Sequence, residues 1–238
     1  MRKRWSPAFR ARAMADRGTA RELLAILGGT FDPIHYGHLR LADDVRRALM
    51  LAEVRLIPAG NPPHRTPPQA SAADRLAMTA LGVVEFPGLV ADAREVEQSG
   101  KSYTVRTLEA LRKEAPGRPL ALIVGADALA GLTTWHRWRD LFALAHLIVI
   151  PRPGVDATPT LPAVLAAEWK ARWTPDPQSL RSSTAGAIYE QVVTPQPISA
   201  SEIRAALARG RAGLLDVEGW LPPAVLAYIE AHKLYGYA

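Results

Sequence analysis

Residues 28–38 constrain this chain more than any other stretch. They read Gly28-Gly29-Thr30-Phe31-Asp32-Pro33-Ile34-His35-Tyr36-Gly37-His38. Before them runs Leu23-Leu24-Ala25-Ile26-Leu27, with the length and composition of a buried strand. After them, residues 38–49 carry apolar side chains at helical spacing. The glycines thus stand where a strand ends, and His35 and His38 stand where a helix begins. A helix N-terminus offers unpaired N–H groups and a partial positive charge, which suits a phosphate chain. Glycine lets a ligand approach the backbone closely, and histidines at i and i+3 can present both rings on one side. The pattern predicts a nucleotide site on a strand–loop–helix corner. Neither G-x-x-x-x-G-K-[ST] nor a G-x-G-x-x-G after this strand occurs. A metal site is not expected, because His35 and His38 lack a nearby third ligand of the usual type.

The rest of the chain alternates. Strands are expected at 53–58, 89–93, 120–124, 147–150 and 188–193. Helices are expected at 75–84, opened by a capping box at Ser71-Ala72-Ala73-Asp74, and at 104–113 and 137–144. Residues 151–183 read as an irregular excursion with one short helix at 162–172, and helices at 199–208 and 222–232 close the chain. Alternating strands and helices predict an α/β fold with a mostly parallel sheet, helices on both faces and a helical C-terminal end. Such sheets bind ligands beyond the carboxyl ends of their strands. Gly28, Asn61 and Asp127 all fall just past such ends.

The 238 residues fit one large domain, expected at 22–238. The net charge of +6 invites a nucleic-acid reading, so its location matters. Residues 1–24 hold seven basic side chains against two acidic ones, which accounts for five of the six charges. Residues 1–21 are therefore expected to be a basic arm outside the domain, and nucleic acid is not the expected main partner. The absence of cysteine fits a reducing compartment, here the cytoplasm. No run of about 18 apolar residues suggests a membrane partner. Oligomeric state, including a homo-oligomer, is left open by the sequence.

A second segment, Ile198-Ser199-Ala200-Ser201-Glu202-Ile203-Arg204, supports two readings. In one, Ser199 and Glu202 form a capping box and Ile198 with Ile203 a hydrophobic staple. In the other, Ser201 and Arg204, at i and i+3, hold phosphates with a hydroxyl, a guanidinium and the first-turn amides.

Residues 28–38 resemble the H-x-G-H signature of the nucleotidylyltransferase superfamily, a Rossmann-like branch of α/β folds. Residues 198–204 resemble its second signature, I-S-S/A-T/S-x-I-R, which clamps ATP from the opposite side. Three further blocks resemble the nicotinate-nucleotide adenylyltransferases. They are Asn61-Pro62-Pro63-His64-Arg65, Ser102-Tyr103-Thr104-Val105-Arg106-Thr107-Leu108, and Gly125-Ala126-Asp127-Ala128-Leu129 with Thr134-Trp135-His136. All five blocks occur in family order. Three departures stand out: Arg106 where many members carry Asp, Ala128 in place of a common Ser, and a first loop one residue shorter than in some members.

The resemblance implies adenylyl transfer from ATP to nicotinate mononucleotide, with ATP held by Gly28, Gly29, Thr30, Phe31, His35, His38, Ser199, Ser201 and Arg204. His35, His38, Arg65 and Arg204 are the expected catalytic set. Asn61, His64, Tyr103, Thr104, Gly125, Asp127, Trp135 and His136 are expected to hold the mononucleotide. In physical terms, Trp135 offers a flat face for a pyridine ring, Tyr103 and Thr104 open a helix whose amides suit a carboxylate, and Asp127 can accept from ribose hydroxyls. Mg²⁺ is expected, held mainly by ATP phosphates. The competing readings are another small-molecule nucleotidylyltransferase, such as a dual-specificity or pantetheine-phosphate enzyme, and a nucleic-acid-binding protein acting through the arm.

Overall fold

The computed structural model describes residues 22–62, 67–151 and 161–237. The arm expected at 1–21, together with His64 and Arg65, lies outside the described residues.

Six strands form one sheet: β1 (Leu24–Gly29), β2 (Val54–Pro58), β3 (Leu89–Ala91), β4 (Leu120–Gly125), β5 (His146–Ile150) and β6 (Ile188–Glu190). Their order is β3-β2-β1-β4-β5-β6, and every pairing is parallel. Parallel strands need crossover connections, which place helices over both faces and bury both sides of each strand. β5 is accordingly buried at all five positions.

The longer helices are α1 (Tyr36–Ala48), α2 (Ala72–Gly82), α3 (Thr104–Glu114), α4 (Ala163–Arg172), α5 (Ala200–Leu207) and α6 (Pro223–Ala231). Two apolar clusters show how the sheet separates them. Ala25, Leu56, Ala121, Ile123 and Ile148 face one layer with Leu39, Ala42 and Val45 of α1 and Ile203, Ala206 and Leu207 of α5. The alternate residues Leu24, Ile26, Leu122, Val124, Leu147 and Val149 face the other, with Val105, Leu108 and Leu111 of α3. The two-residue period of a strand thus sorts one sequence into two cores.

Strand order reverses between β1 and β4, so their carboxyl ends open a crevice of the kind that receives nucleotides. Gly29 ends β1 and Gly125 ends β4. The Rossmann-like α/β expectation holds. No helix among the described residues is long and apolar enough to cross a membrane.

Several boundaries differ from expectation. α2 begins at Ala72, because Ser71 caps it by accepting from the Asp74 amide at 3.1 Å. It closes as a single 3₁₀ turn, Val83–Glu85. The expected helix at 137–144 is broken: Arg137 has φ +53°, and a 3₁₀ turn precedes the short helix Leu141–Leu144. β3 and β6 are shorter than expected, and both lie at the edges of the sheet, where pairing ends on one side.

His146 lies within β5 with no exposed surface. Its Nδ1 accepts from the Ala187 amide at 3.0 Å, and Nε2 stands 3.1 Å from the Ser183 carbonyl. That pattern requires the neutral Nε2–H form, and burial lowers its pKa.

Candidate active site

The corner at the end of β1 is held from inside the protein. Gly29 is needed there because a Cβ would lie 2.6 Å from Cε1 of Phe31. Phe31 has φ +50° and is buried, so its backbone, not its ring, remains for a ligand. A Cβ on Gly28 would meet nothing within 4 Å, and the same is true of Gly125. Both therefore leave open space at the ends of the two central strands.

His35 is the N-cap of α1 and makes no side-chain capping bond. His38 follows in the first turn, with the two rings stacked at 3.8 Å and Phe31 edge-on to His38 at 5.0 Å. Burial, with the neighbouring His38 adding to it, holds the His35 imidazole down at about 2. His35 is thus neutral at physiological pH, and its Nδ1 is buried without a hydrogen-bond partner among the described residues. Gly37 makes the stack possible, because a Cβ there would lie 2.8 Å from His35 Nδ1 and 3.4 Å from the Ile198 side chain. Gly37→Ala should displace the His35 ring and lower turnover by about tenfold, since sub-ångström shifts of positioned groups carry large rate effects. Steady-state kinetics on the folded variant checks this, and wild-type turnover would refute it.

The neutral state of His35 and of His146 gives a pH dependence with a definite sign. Their folded pKa values lie below the ordinary 6.5, so only the unfolded chain takes up their protons as pH falls through 6.5. Stability is complete above that value and declines below it. His35 alone should cost about 1.3 kcal/mol at pH 5.5 relative to pH 7. Thermal melts between pH 7.5 and 5.5 should show a falling Tm; a flat profile would contradict it.

The second signature meets the first. Arg204 Nη1 donates to the Asp32 carbonyl at 2.7 Å, and Nη2 donates to Ser201 Oγ at 3.2 Å. Arg204 Nε is buried without a partner among the described residues. Ser199 caps α5 but makes no side-chain capping bond. The capping box is therefore not formed, and the hydroxyl of Ser199 is left for another partner.

Asp32, Arg75 and Tyr235 support this corner, and none was an expected site residue. The Asp32 carboxylate accepts from the amides of Gln69 (2.9 Å) and Ala70 (3.1 Å) and from the Tyr235 hydroxyl (2.8 Å). Burial, then Asp32 itself, raises the Tyr235 pKa strongly. Arg75 donates to three carbonyls, Thr30 (2.6 Å), Gly60 (3.1 Å) and Ala70 (3.3 Å). It thereby ties the loop after β1 to the loop after β2. The available signal was an arginine on the inner stripe of α2, beside the buried Thr79 and Gly82. Tyr235→Phe removes a hydrogen bond to a buried carboxylate and should cost about 1.5–3 kcal/mol. Denaturant titration measures this, and an unchanged midpoint would refute it.

The remaining expected residues lie in the segments that follow β2 and β4 and at the start of α3. Asn61 is exposed, and its carbonyl accepts from the Ser102 amide at 2.9 Å. Tyr103 is the N-cap of α3 and Thr104 its first residue. The Tyr103 ring lies 4.5 Å from that of His136, and the Arg106 guanidinium stands 5.3 Å from the same ring. Trp135 is half-buried and packs against the second core cluster together with Tyr103 and Ala128. Asp127 is exposed in the short helix Ala126–Ala130 that follows β4.

Comparison with known proteins gives the family. The cytidylyltransferase-like family matches residues 26–206. A relative from Laribacter hongkongensis, named "Probable nicotinate-nucleotide adenylyltransferase", is 52% identical over 216 residues, covering 90% of this chain and 95% of the relative. The chain belongs to the nicotinate-nucleotide adenylyltransferase family. A second member of that family, from Dechloromonas aromatica, is 49% identical over 216 residues, covering 90% of this chain and 98% of its own. Among solved structures, Plasmodium falciparum nicotinic acid mononucleotide adenylyltransferase complexed with NaAD superposes with a TM-score of 0.67 at 17% identity. It covers 91% of this chain and 98% of its own length. At that identity the likeness speaks for the fold.

Proposed function

We propose that this chain transfers the adenylyl group of ATP to nicotinate mononucleotide, forming nicotinate adenine dinucleotide and pyrophosphate in NAD synthesis. The observation that carries the reading is the meeting of the two signatures at the end of β1. Stacked His35 and His38 stand at a helix N-terminus, and Arg204 is anchored on Asp32 beside them.

In the reaction the mononucleotide phosphate attacks the α-phosphorus of ATP, and pyrophosphate leaves in line. The nucleophile is already an anion near neutral pH, so no strong general base is required. Catalysis is then positioning and charge stabilisation. His35, neutral in the free protein, serves as a hydrogen-bond donor to phosphate oxygens. His38 joins it, and Arg204 supplies positive charge, with Arg65 assisting. Gly28, Gly29, Thr30 and Phe31 offer backbone to ATP, and Ser199 and Ser201 offer hydroxyls. Asn61, His64, Tyr103, Thr104, Gly125, Asp127, Trp135 and His136 receive the mononucleotide.

Mg²⁺ fits this reading as a companion of the substrate. Asp32, the carboxylate of the corner, is occupied by two amides and a hydroxyl, and the other groups there are donors to anions. When bound, the ion neutralises charge on the phosphate chain, held by ATP oxygens. A cytoplasmic setting goes with this substrate pair and the cysteine-free composition.

The test is product analysis with ATP and a panel of acceptors. One pyrophosphate should appear per dinucleotide, with nicotinate mononucleotide the best acceptor of the panel. Release with pantetheine phosphate and none with the mononucleotide would overturn the assignment.

A further inference from the structure

Glu95 lies in the one-turn helix Arg94–Glu97 that follows β3. Its Oε1 accepts from Thr107 Oγ1 of α3 at 2.6 Å, and the Ser102 hydroxyl acts on the same carboxylate. Ser102 Oγ in turn accepts from the Gly60 amide at 3.0 Å and the Asn61 amide at 3.1 Å. A hydroxyl has two acceptor sites and one proton. With both acceptor sites taken by amides, Ser102 keeps its proton for an acceptor, and the Glu95 carboxylate is that acceptor.

Backbone contact reinforces the arrangement. A Cβ on Gly60 would fall 2.1 Å from the Glu95 carbonyl oxygen, so only glycine allows the two segments to touch. Glu95 therefore stands beneath the junction of two arms. One is the loop after β2, starting at Gly60 and Asn61; the other is Ser102-Tyr103-Thr104 at the start of α3. Burial holds its carboxyl above the usual carboxylate range, which shows how far the group is withdrawn from water.

We propose that Glu95 is a positioning residue that fixes these two arms relative to one another through Ser102 and Thr107, and so sets the affinity for the mononucleotide but not for ATP. The inference rests on the adenylyl-transfer reading for the identity of the mononucleotide. The asymmetry follows from the support of the ATP side by Asp32, Arg204 and Tyr235, which brace the corner after β1 through bonds that involve neither Glu95 nor Ser102 nor Thr107.

The experiment compares wild type, Glu95→Ala, Glu95→Gln, Ser102→Ala and the Glu95→Ala/Ser102→Ala double variant, with KM measured for nicotinate mononucleotide and for ATP. Glu95→Ala should raise the mononucleotide KM about tenfold, the scale of one hydrogen bond to a charged group. The ATP KM and kcat should move less than about twofold. Ser102→Ala should reproduce the effect, and the double variant should be no worse than either single one, because the two residues act through one linkage. Glu95→Gln, which keeps one acceptor oxygen, should recover part of the loss. Equal increases in both KM values, or additive effects of the two substitutions, would overturn the proposal. If Glu95→Ala fails to fold, Ser102→Ala and Glu95→Gln carry the same test. Wild-type turnover distinguishes the two failures. Its absence overturns the functional reading and this inference together, whereas normal wild-type turnover with an unchanged mononucleotide KM in the variants overturns this inference alone.

Discussion

Replacing His38 with alanine is expected to lower kcat by about 10²–10³ while changing the mononucleotide KM far less. The ring stands in the first turn of α1, stacked on His35 and edge-on to Phe31, so its direction is set before any ligand arrives. A preorganised donor of this kind matters most when charge builds on the transferred phosphate, and removing one such donor typically costs a rate factor of this size. Binding of the ground state should suffer less, because His35 and Arg204, the other proposed phosphate donors, stay in place. The ring is only half-buried, so the fold should survive its loss. Single-turnover and steady-state rates on the folded variant separate the two effects. Near-normal kcat would remove His38 from the chemistry.

The corner after β1 was legible in the sequence because its glycines, its histidines and the flanking periodicities are local features. The sheet was legible for the same reason: residues 120–124 and 147–150 are continuous apolar runs, as strands buried on both faces must be. What supports the site was less visible. Tyr235 reaches Asp32 across 203 positions of sequence, and no local pattern announces such a pairing. Glu95 is one acidic residue among several near the end of β3; its importance arises from Ser102 and Thr107, which reach it only once α3 has packed. Gly29 was read as clearance for a ligand, yet its first obligation is to the Phe31 ring. The capping-box reading of Ser199, one of the two open for that segment, failed for a similar reason. Short-range spacing permits the bond, but tertiary packing decides whether the side chain makes it. Boundary errors fell at edge strands and at Arg137, where a left-handed residue breaks a segment of helical spacing.

Preference for nicotinate over nicotinamide mononucleotide tests the account most directly. α3 begins at Thr104; the Arg106 amide donates to the Tyr103 carbonyl at 2.9 Å, so Thr104 and Val105 are the first-turn amides with no partner within the helix. Together with the Thr104 hydroxyl they form a set of donors suited to the carboxylate of nicotinate. An amide in the same place turns an NH₂ group toward at least one of them. A buried donor left opposed costs about 1–3 kcal/mol, and two such contacts compound, so the ratio of specificity constants should be on the order of 10² or more. In the proposed pocket Trp135 stacks on either ring, so Trp135→Ala should weaken both substrates and roughly preserve the ratio. Thr104→Val should erode the ratio only in part, because the backbone donors remain. The decisive measurement is kcat/KM for the two mononucleotides with saturating ATP, read as pyrophosphate release. A ratio of about 10² or more in favour of nicotinate mononucleotide is the expected result, and equal specificity constants would contradict the account.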